Sequence, residues 1–155
     1  MDLYEELKKL DIDYEEVEHK AIYSYEDATK EDIASKIEGI ECKNLFVKSK
    51  TKYYLIFISA IKKADLKELA SALNDTRLVF ASEEELERIL NLKMGSVTPL
   101  GIINDRDNLV TILIDKELVG RKILLHPNIN TKTISITLED LIKFIESKNH
   151  RYIMF

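Results

Sequence analysis

Residues able to do chemistry are few in this 155-residue chain, and they are widely spaced. The three histidines, His19, His126 and His150, lack the close pairing with which one helix presents two ligands to a metal. Cys42, the single cysteine, has no second thiol for a disulfide or a cysteine-based zinc site, and no evident partner marks it as a nucleophile. Nucleotide-binding glycine loops, the HExxH pair, the GxSxG elbow and the CxxC pair are all missing. What stands out is the scarcity of glycine and proline, 4 and 2 residues, where average usage would place about ten and eight. Gly95 and Pro99 bracket the segment GSVTP. Glycine permits positive φ or close backbone approach, and proline fixes its own φ and drives the preceding Thr98 toward an extended conformation. A corner built from Gly95, Ser96, Val97, Thr98 and Pro99 can therefore hold peptide N–H and C=O groups toward a ligand, although the spacing equally describes an ordinary helix-to-strand turn. In HPNINT, His126 and Asn128 end a predicted strand with side chains able to donate or accept, and again a plain turn is the alternative. Lys43 and Asn44 open the run KNLFVK, where a lysine at a strand mouth can meet an anion or a carbonyl as a point charge, or simply be solvated.

Positioning these residues requires a scaffold, and hydrophobic periodicity supplies its outline. Leu3, Leu7 and Leu10 predict a short amphipathic opening helix. YEEVEH alternates weakly, and SYEDATKEDIASKI reads as one helix with Ser24 as N-cap and Gly39 as its end. NLFVKSK and KYYLIFIS, rich in β-branched and aromatic residues, predict a hairpin. DLKELASAL predicts a helix capped by Asp65, and SEEELERIL a helix with a Ser82/Glu85 capping box. TPLGIIN, NLVTILID, KILLHP and TKTISIT predict four further strands. TLEDLIKFIESKN predicts a closing helix with Thr137 as N-cap and Leu138, Leu141, Ile142 and Ile145 facing inward, followed by a short strand at Tyr152–Met154. The interleaving predicts an α/β class: one compact domain, residues 1–155, with a central mixed β-sheet flanked by helices.

Apolar residues at 45% and charged residues at 33% exclude a disordered chain. No apolar stretch reaches the roughly 18 residues of a membrane span, and the charged N-terminus MDLYEELKKLD has no signal-peptide core, so the expected address is the cytoplasm. The net charge of −5 argues against a protein that coats nucleic acid by bulk electrostatics, but charge is segregated. Residues 1–41 carry 5 basic and 14 acidic side chains, residues 42–77 carry 8 and 3, and residues 78–155 carry 10 and 11. The basic island can meet a phosphate backbone locally, or be a solvated face.

KNLF, GSVTP and HPN occur in this chain in an order that resembles the YbaK-like aminoacyl-tRNA deacylases, relatives of the editing domain inserted in bacterial prolyl-tRNA synthetases. The likeness runs from about His19 to about His150, is especially close over SEEELERILNLKMGSVTPLGIIND, and leans toward free-standing alanyl-tRNA(Pro) deacylases of the PrdX or ProX type. It implies a compact domain with a mixed sheet, and metal-free, cofactor-free hydrolysis of the ester that joins a wrong amino acid to tRNA. By the same resemblance Lys43, Asn44 and Gly95 are the expected catalytic residues, and Ser96, Val97, Thr98, Pro99, His126 and Asn128 bind the substrate. The implied reaction is water attack assisted by a hydroxyl of the terminal ribose, in a pocket that admits alanine and excludes the proline ring. Lys48, Lys50 and Arg77 are the expected tRNA contacts. The implied partner is mischarged tRNA(Pro), with prolyl-tRNA synthetase a further candidate and neither DNA nor membrane expected. Three readings stay open beside this one: a deacylase for another amino acid such as cysteine or serine, a non-catalytic module that senses aminoacyl-tRNA or a free amino acid, and an interaction role in which the acidic N-terminal helices dock a synthetase or another copy of this chain.

Overall fold

The computed structural model describes residues 2–155. Helix α1 (Leu3–Lys9) starts where Asp2 accepts the Tyr4 N–H at 2.9 Å, and it buries Leu3 and Leu7. Strand β1 (Glu15–Glu18) leads to α2 (Tyr25–Lys30), capped by Ser24, and α3 (Ile33–Lys36). The single helix expected here is broken at Asp32, whose φ of 53° lies in the left-handed region. Strands β2 (Ile40–Lys48) and β3 (Tyr53–Ser59) form the expected hairpin, followed by α4 (Leu66–Ala72) with Asp65 at its cap. The short β4 (Val79–Phe80) precedes α5 (Glu83–Leu90), whose Ser82/Glu85 capping box is complete. The Ser82 N–H, the Tyr53 hydroxyl and the Lys48 ammonium all bond the Glu85 carboxylate and hold its pKa down at about 2.

Pro99–Asn104, expected as a strand, is a 3-10 helix. Thr98 caps it through a hydroxyl that accepts the Leu100 N–H, proline suits the first helical position, and Leu100 and Ile102 are buried without strand partners. Strands β5 (Val110–Ile114), β6 (Lys122–Leu125), β7 (Lys132–Thr137) and β8 (Tyr152–Met154) complete the sheet, and α6 (Leu138–Ser147) packs on it. Phe144 rather than Ile142 joins Leu138, Leu141 and Ile145 in the fully buried face of α6.

The strands run in the order β1-β7-β6-β2-β3-β5-β8, with β4 added to β2. β2 is antiparallel to β3 but parallel to β6, and β3, β5 and β8 are mutually parallel, so the sheet is mixed. The main core, including Phe46, Phe57, Leu90, Ile112 and Phe144, lies between one face of the sheet and helices α1, α5 and α6. A smaller core of Val47, Tyr54, Ile56 and Ile58 packs with Leu69 of α4 on the other face. A buried pair ties the chain's end to the 3-10 helix: His150 bonds Asp105 at 2.9 Å, and Asp105 accepts the N–H groups of Leu109 and Val110.

Candidate active site

The site arises from a break in strand pairing. One edge of β2 is covered by β3 from Cys42 to Lys48. On the opposite edge, Ile40 and Glu41 pair with β6, and Val47 and Lys48 pair with β4. Residues 42–45 have no neighbouring strand on that edge, Phe46 being met there by the Ala81 N–H at 3.0 Å, and the space beside them is a cavity of about 420 Å³. β2 forms one wall, Leu124, Leu125 and His126 a second, and Phe80, Ala81 and Ser82 a third. Gly95 and Val97 of the GSVTP corner close it from the side of α5.

Five residues singled out from the sequence thus meet at one hollow: Lys43, Asn44, Gly95, Val97 and His126. Lys43 is half-buried and, among the described residues, has no ion-pair partner. The Asn44 amide oxygen is buried and takes no hydrogen bond from any described residue. At the corner, Gly95 has φ +86°, and the N–H groups of Gly95 and Val97 meet no acceptor among the described residues. Unpaired amides at such a corner are the donors an oxyanion needs. Burial pushes the His126 imidazole below its ordinary value, against the opposing hydrogen bond to the Lys132 carbonyl, and nearby His19 adds to the push. A neutral ring that donates from Nδ1 to that carbonyl presents Nε2 as an acceptor. Behind it, His19 Nε2 bonds the hydroxyl of the cavity residue Thr133 at 2.7 Å.

The other expected substrate residues do not line the cavity. Ser96, Thr98 and Pro99 are buried behind the corner and set its shape. Asn128, at φ +63°, donates from Nδ2 to the Leu100 carbonyl at 3.5 Å, tying the HPN turn to the 3-10 helix. Asn130 likewise donates to the Ile22 carbonyl and accepts the Ile22 N–H, which holds Tyr23 against Gly95. The expected tRNA residues lie outside the hollow. Lys48 is paired with Glu85 at 2.9 Å, so its charge is already compensated. Lys50 and Arg77 are exposed, and a hydrogen bond from the Lys50 N–H to the Thr76 hydroxyl brings their segments together.

Sequence reading did not single out Glu41 or the aromatic rim. Tyr23, Tyr25, Phe80 and Met94 line the cavity and are each at least half exposed. Their signal was present only as apolar residues in polar surroundings. Burial, with help from Asp115, pushes the Cys42 thiol up to about 12, which keeps it protonated and unfit as a nucleophile. Among the described residues no group of three or more His, Cys, Asp or Glu is placed to hold a metal ion, and no helix is long and apolar enough to cross a membrane.

Comparison with known proteins adds a family to this geometry. The model of the aminoacyl-tRNA editing domain family matches residues 19–144. The prolyl-tRNA editing protein ProX of Acetoanaerobium sticklandii is 36% identical over 149 residues, covering 94% of this chain and 90% of that protein. Prolyl-tRNA synthetase associated domain-containing protein 1 of Danio rerio is 33% identical over 153 residues, covering 96% and 82%. Among solved structures, a hypothetical protein superposes with a TM-score of 0.75 at 13% identity, covering 98% of this chain and 97% of that one. A candidate trans-editing enzyme for prolyl tRNA synthetase gives 0.74 at 17%, covering 99% and 93%. At such identities these structures speak for the fold alone.

Proposed function

The chain belongs to the aminoacyl-tRNA editing domain family, and from that premise we propose that it is an aminoacyl-tRNA deacylase acting in trans on mischarged tRNA(Pro), with Ala-tRNA(Pro) its substrate. The observation that carries this reading is the convergence of Lys43, the Gly95–Val97 corner and neutral His126 on one cavity. Water attacks the ester carbonyl, delivered with the help of a hydroxyl of the terminal ribose, and collapse of the tetrahedral adduct breaks the bond to the esterified ribose oxygen, which leaves as a hydroxyl with the proton given up by the water. The negative charge that develops on the carbonyl oxygen is met by preorganised N–H groups of the corner, each good donor contributing about 3 kcal/mol in comparable sites. Lys43 balances charge on the ribose-phosphate side, and His126 Nε2 accepts a proton or a hydrogen bond. The exposed rings of Tyr23, Tyr25 and Phe80 offer stacking faces for the unpaired bases of the tRNA 3′ end. Prolyl-tRNA synthetase enters as the enzyme whose misacylation supplies the substrate.

Editing of this kind answers a physical limit, because a proline-sized pocket rejects smaller alanine by only about 1–3 kcal/mol per methylene. The expected alanine-sized sieve needs one amendment. A cavity of about 420 Å³ has room for the aminoacyl group together with part of the terminal nucleotide, so total volume does not exclude a proline ring. In this reading, selectivity comes from the local clearance between the corner and β2. The test is a deacylation panel with Ala-, Pro-, Cys- and Ser-tRNA(Pro): hydrolysis of the alanyl ester with the prolyl ester spared is expected. Binding without turnover would support the sensing module instead, and preferred hydrolysis of the cysteinyl or seryl ester would reassign the substrate.

A further inference from the structure

β2 brings a second ionisable side chain to the cavity wall, two residues before Lys43. Glu41 lines the hollow, its carboxylate receives no hydrogen bond from any described residue, and Oε2 is shut off from solvent. Glu41 as a whole is only part-buried, but a carboxylate oxygen withdrawn from water is ordinarily hydrogen-bonded or paired. The nearby cations do not supply the match. Lys43 makes no ion pair with Glu41, and Lys122 on the facing strand β6 leans to Glu38 at 3.6 Å. Cys42 between them keeps its proton. Burial raises the Glu41 pKa, because withdrawal from water penalises the charged form while no cation among the described residues stands beside it.

An aminoacyl ester carries such a charge. Its α-ammonium group is attached to the carbon next to the reacting carbonyl and is largely protonated at neutral pH. We infer that Glu41 receives the α-ammonium group of the aminoacyl ester and makes the site selective for a free amine. This assignment rests on the deacylase reading and deepens it. Alternate residues of a strand share a face and stand about 6.6 Å apart. Glu41 and Lys43 therefore offer a negative and a positive contact at a separation that suits the two ends of the aminoacyl-ribose linkage, with the scissile carbonyl between them. Esters whose nitrogen is acylated, as in peptidyl-tRNA, or replaced by a hydroxyl leave the carboxylate unmatched and are refused.

Three substrates test this: Ala-tRNA(Pro), N-acetyl-Ala-tRNA(Pro), and lactyl-tRNA(Pro), in which a hydroxyl replaces the amine. Each rate is expressed over spontaneous hydrolysis of the same ester, since the ammonium group itself activates the bond. Wild-type protein is expected to favour the alanyl ester over the other two by at least about 30-fold. Glu41→Gln is expected to lower the enhancement for the alanyl ester 10- to 100-fold and to bring that preference near unity. Equal enhancements on all three esters in the wild type would overturn the assignment, as would a Glu41→Gln loss shared equally by all three, the signature of a structural role. Should Glu41→Gln not fold, the wild-type preference decides alone. Absence of hydrolysis of every ester would overturn the deacylase reading and this assignment with it, whereas hydrolysis without amine preference sinks the assignment only.

Discussion

Substituting Gly95 by alanine probes the corner most directly, because two separate effects can be read from its surroundings. A Cβ at this position would lie 2.5 Å from Tyr23 Cδ1, 3.0 Å from Cε1 and 3.3 Å from Asn130 Nδ2. Tyr23 is 68% exposed, so its ring can swing outward and relieve most of that overlap. The backbone can relax only by turning the adjoining peptide planes: a φ of +86° costs an L-residue about 1–2 kcal/mol. For a chain of this size that strain lowers Tm by about 2–8 °C and leaves the fold intact. Activity should fall much further. Relief of the strain rotates the peptide planes on either side of residue 95, and misplacing one oxyanion donor costs about 10²-fold or more in rate. The expected result in single-turnover deacylation of Ala-tRNA(Pro) is therefore a loss of about 100-fold beside a small change in melting. Tyr23→Ala combined with Gly95→Ala removes the ring contact but not the φ strain, so it should recover part of the stability and little of the rate. A Gly95→Ala protein that melts normally and turns over within about threefold of wild type would refute the corner as an oxyanion site.

Other perturbations separate the remaining roles. Lys43→Ala should abolish at least about 99% of deacylation while changing stability by no more than about 0.5 kcal/mol, as expected for a half-buried side chain with no ion-pair partner among the described residues; near-normal turnover would remove Lys43 from the mechanism. Neutralising Lys50 and Arg77 together should weaken tRNA binding and reduce the slope of log K against log salt by about 1–2, whereas Lys48→Met should act mainly on stability, because Lys48 is committed to Glu85. The folded pKa of His126 is depressed, so its neutral form stabilises the protein above the ordinary value of 6.5 and that contribution is lost as pH falls through the folded value; His126→Gln should flatten this part of a urea-denaturation pH series. His150→Ala should destabilise by about 3–5 kcal/mol by leaving Asp105 buried without its partner. Burial raises the Asp105 pKa, but the bonds from His150, Val110 and Leu109 outweigh it, so the stability Asp105 contributes is complete above 3.8 and disappears as pH falls through its lower folded value.

Much of this architecture could be read from local pattern because local physics decides it. Caps at Ser24, Asp65, Ser82 and Thr137 stand where the sequence places them, since each satisfies backbone donors within three residues. The β2–β3 hairpin likewise follows from two apolar runs with a polar turn between them. The failures are instructive in the same terms. TPLGIIN has the composition of a strand, but no strand lies beside it, and a proline after a capping threonine favours a 3-10 turn instead. Asp32 breaks a helix that periodicity alone would continue, because a short polar side chain tolerates the left-handed region. Glu41 could not be distinguished from the other acids of the N-terminal third: its isolation depends on β6 pairing with β2 at two residues and then diverging.

That divergence also explains why a short motif names residues that never touch the hollow. A strand edge left open for four residues would ordinarily be filled by side chains or another strand, so keeping it open demands rigid surroundings. Thr98 and Pro99 supply part of that rigidity by starting the 3-10 helix at a fixed angle, and Asn128 fastens the helix to the turn that carries His126. Asn130 does the same for Ile22 and thereby for the Tyr23 ring over Gly95. Conversion of Asn128 to alanine should accordingly lower turnover without altering the charge or the composition of the cavity wall, through loss of alignment between His126 and the corner. On the proposed mechanism the effect should fall on kcat more than on KM, because that reading assigns substrate binding to the β2 wall and the rim, and the position of the donors relative to the carbonyl matters most in the transition state.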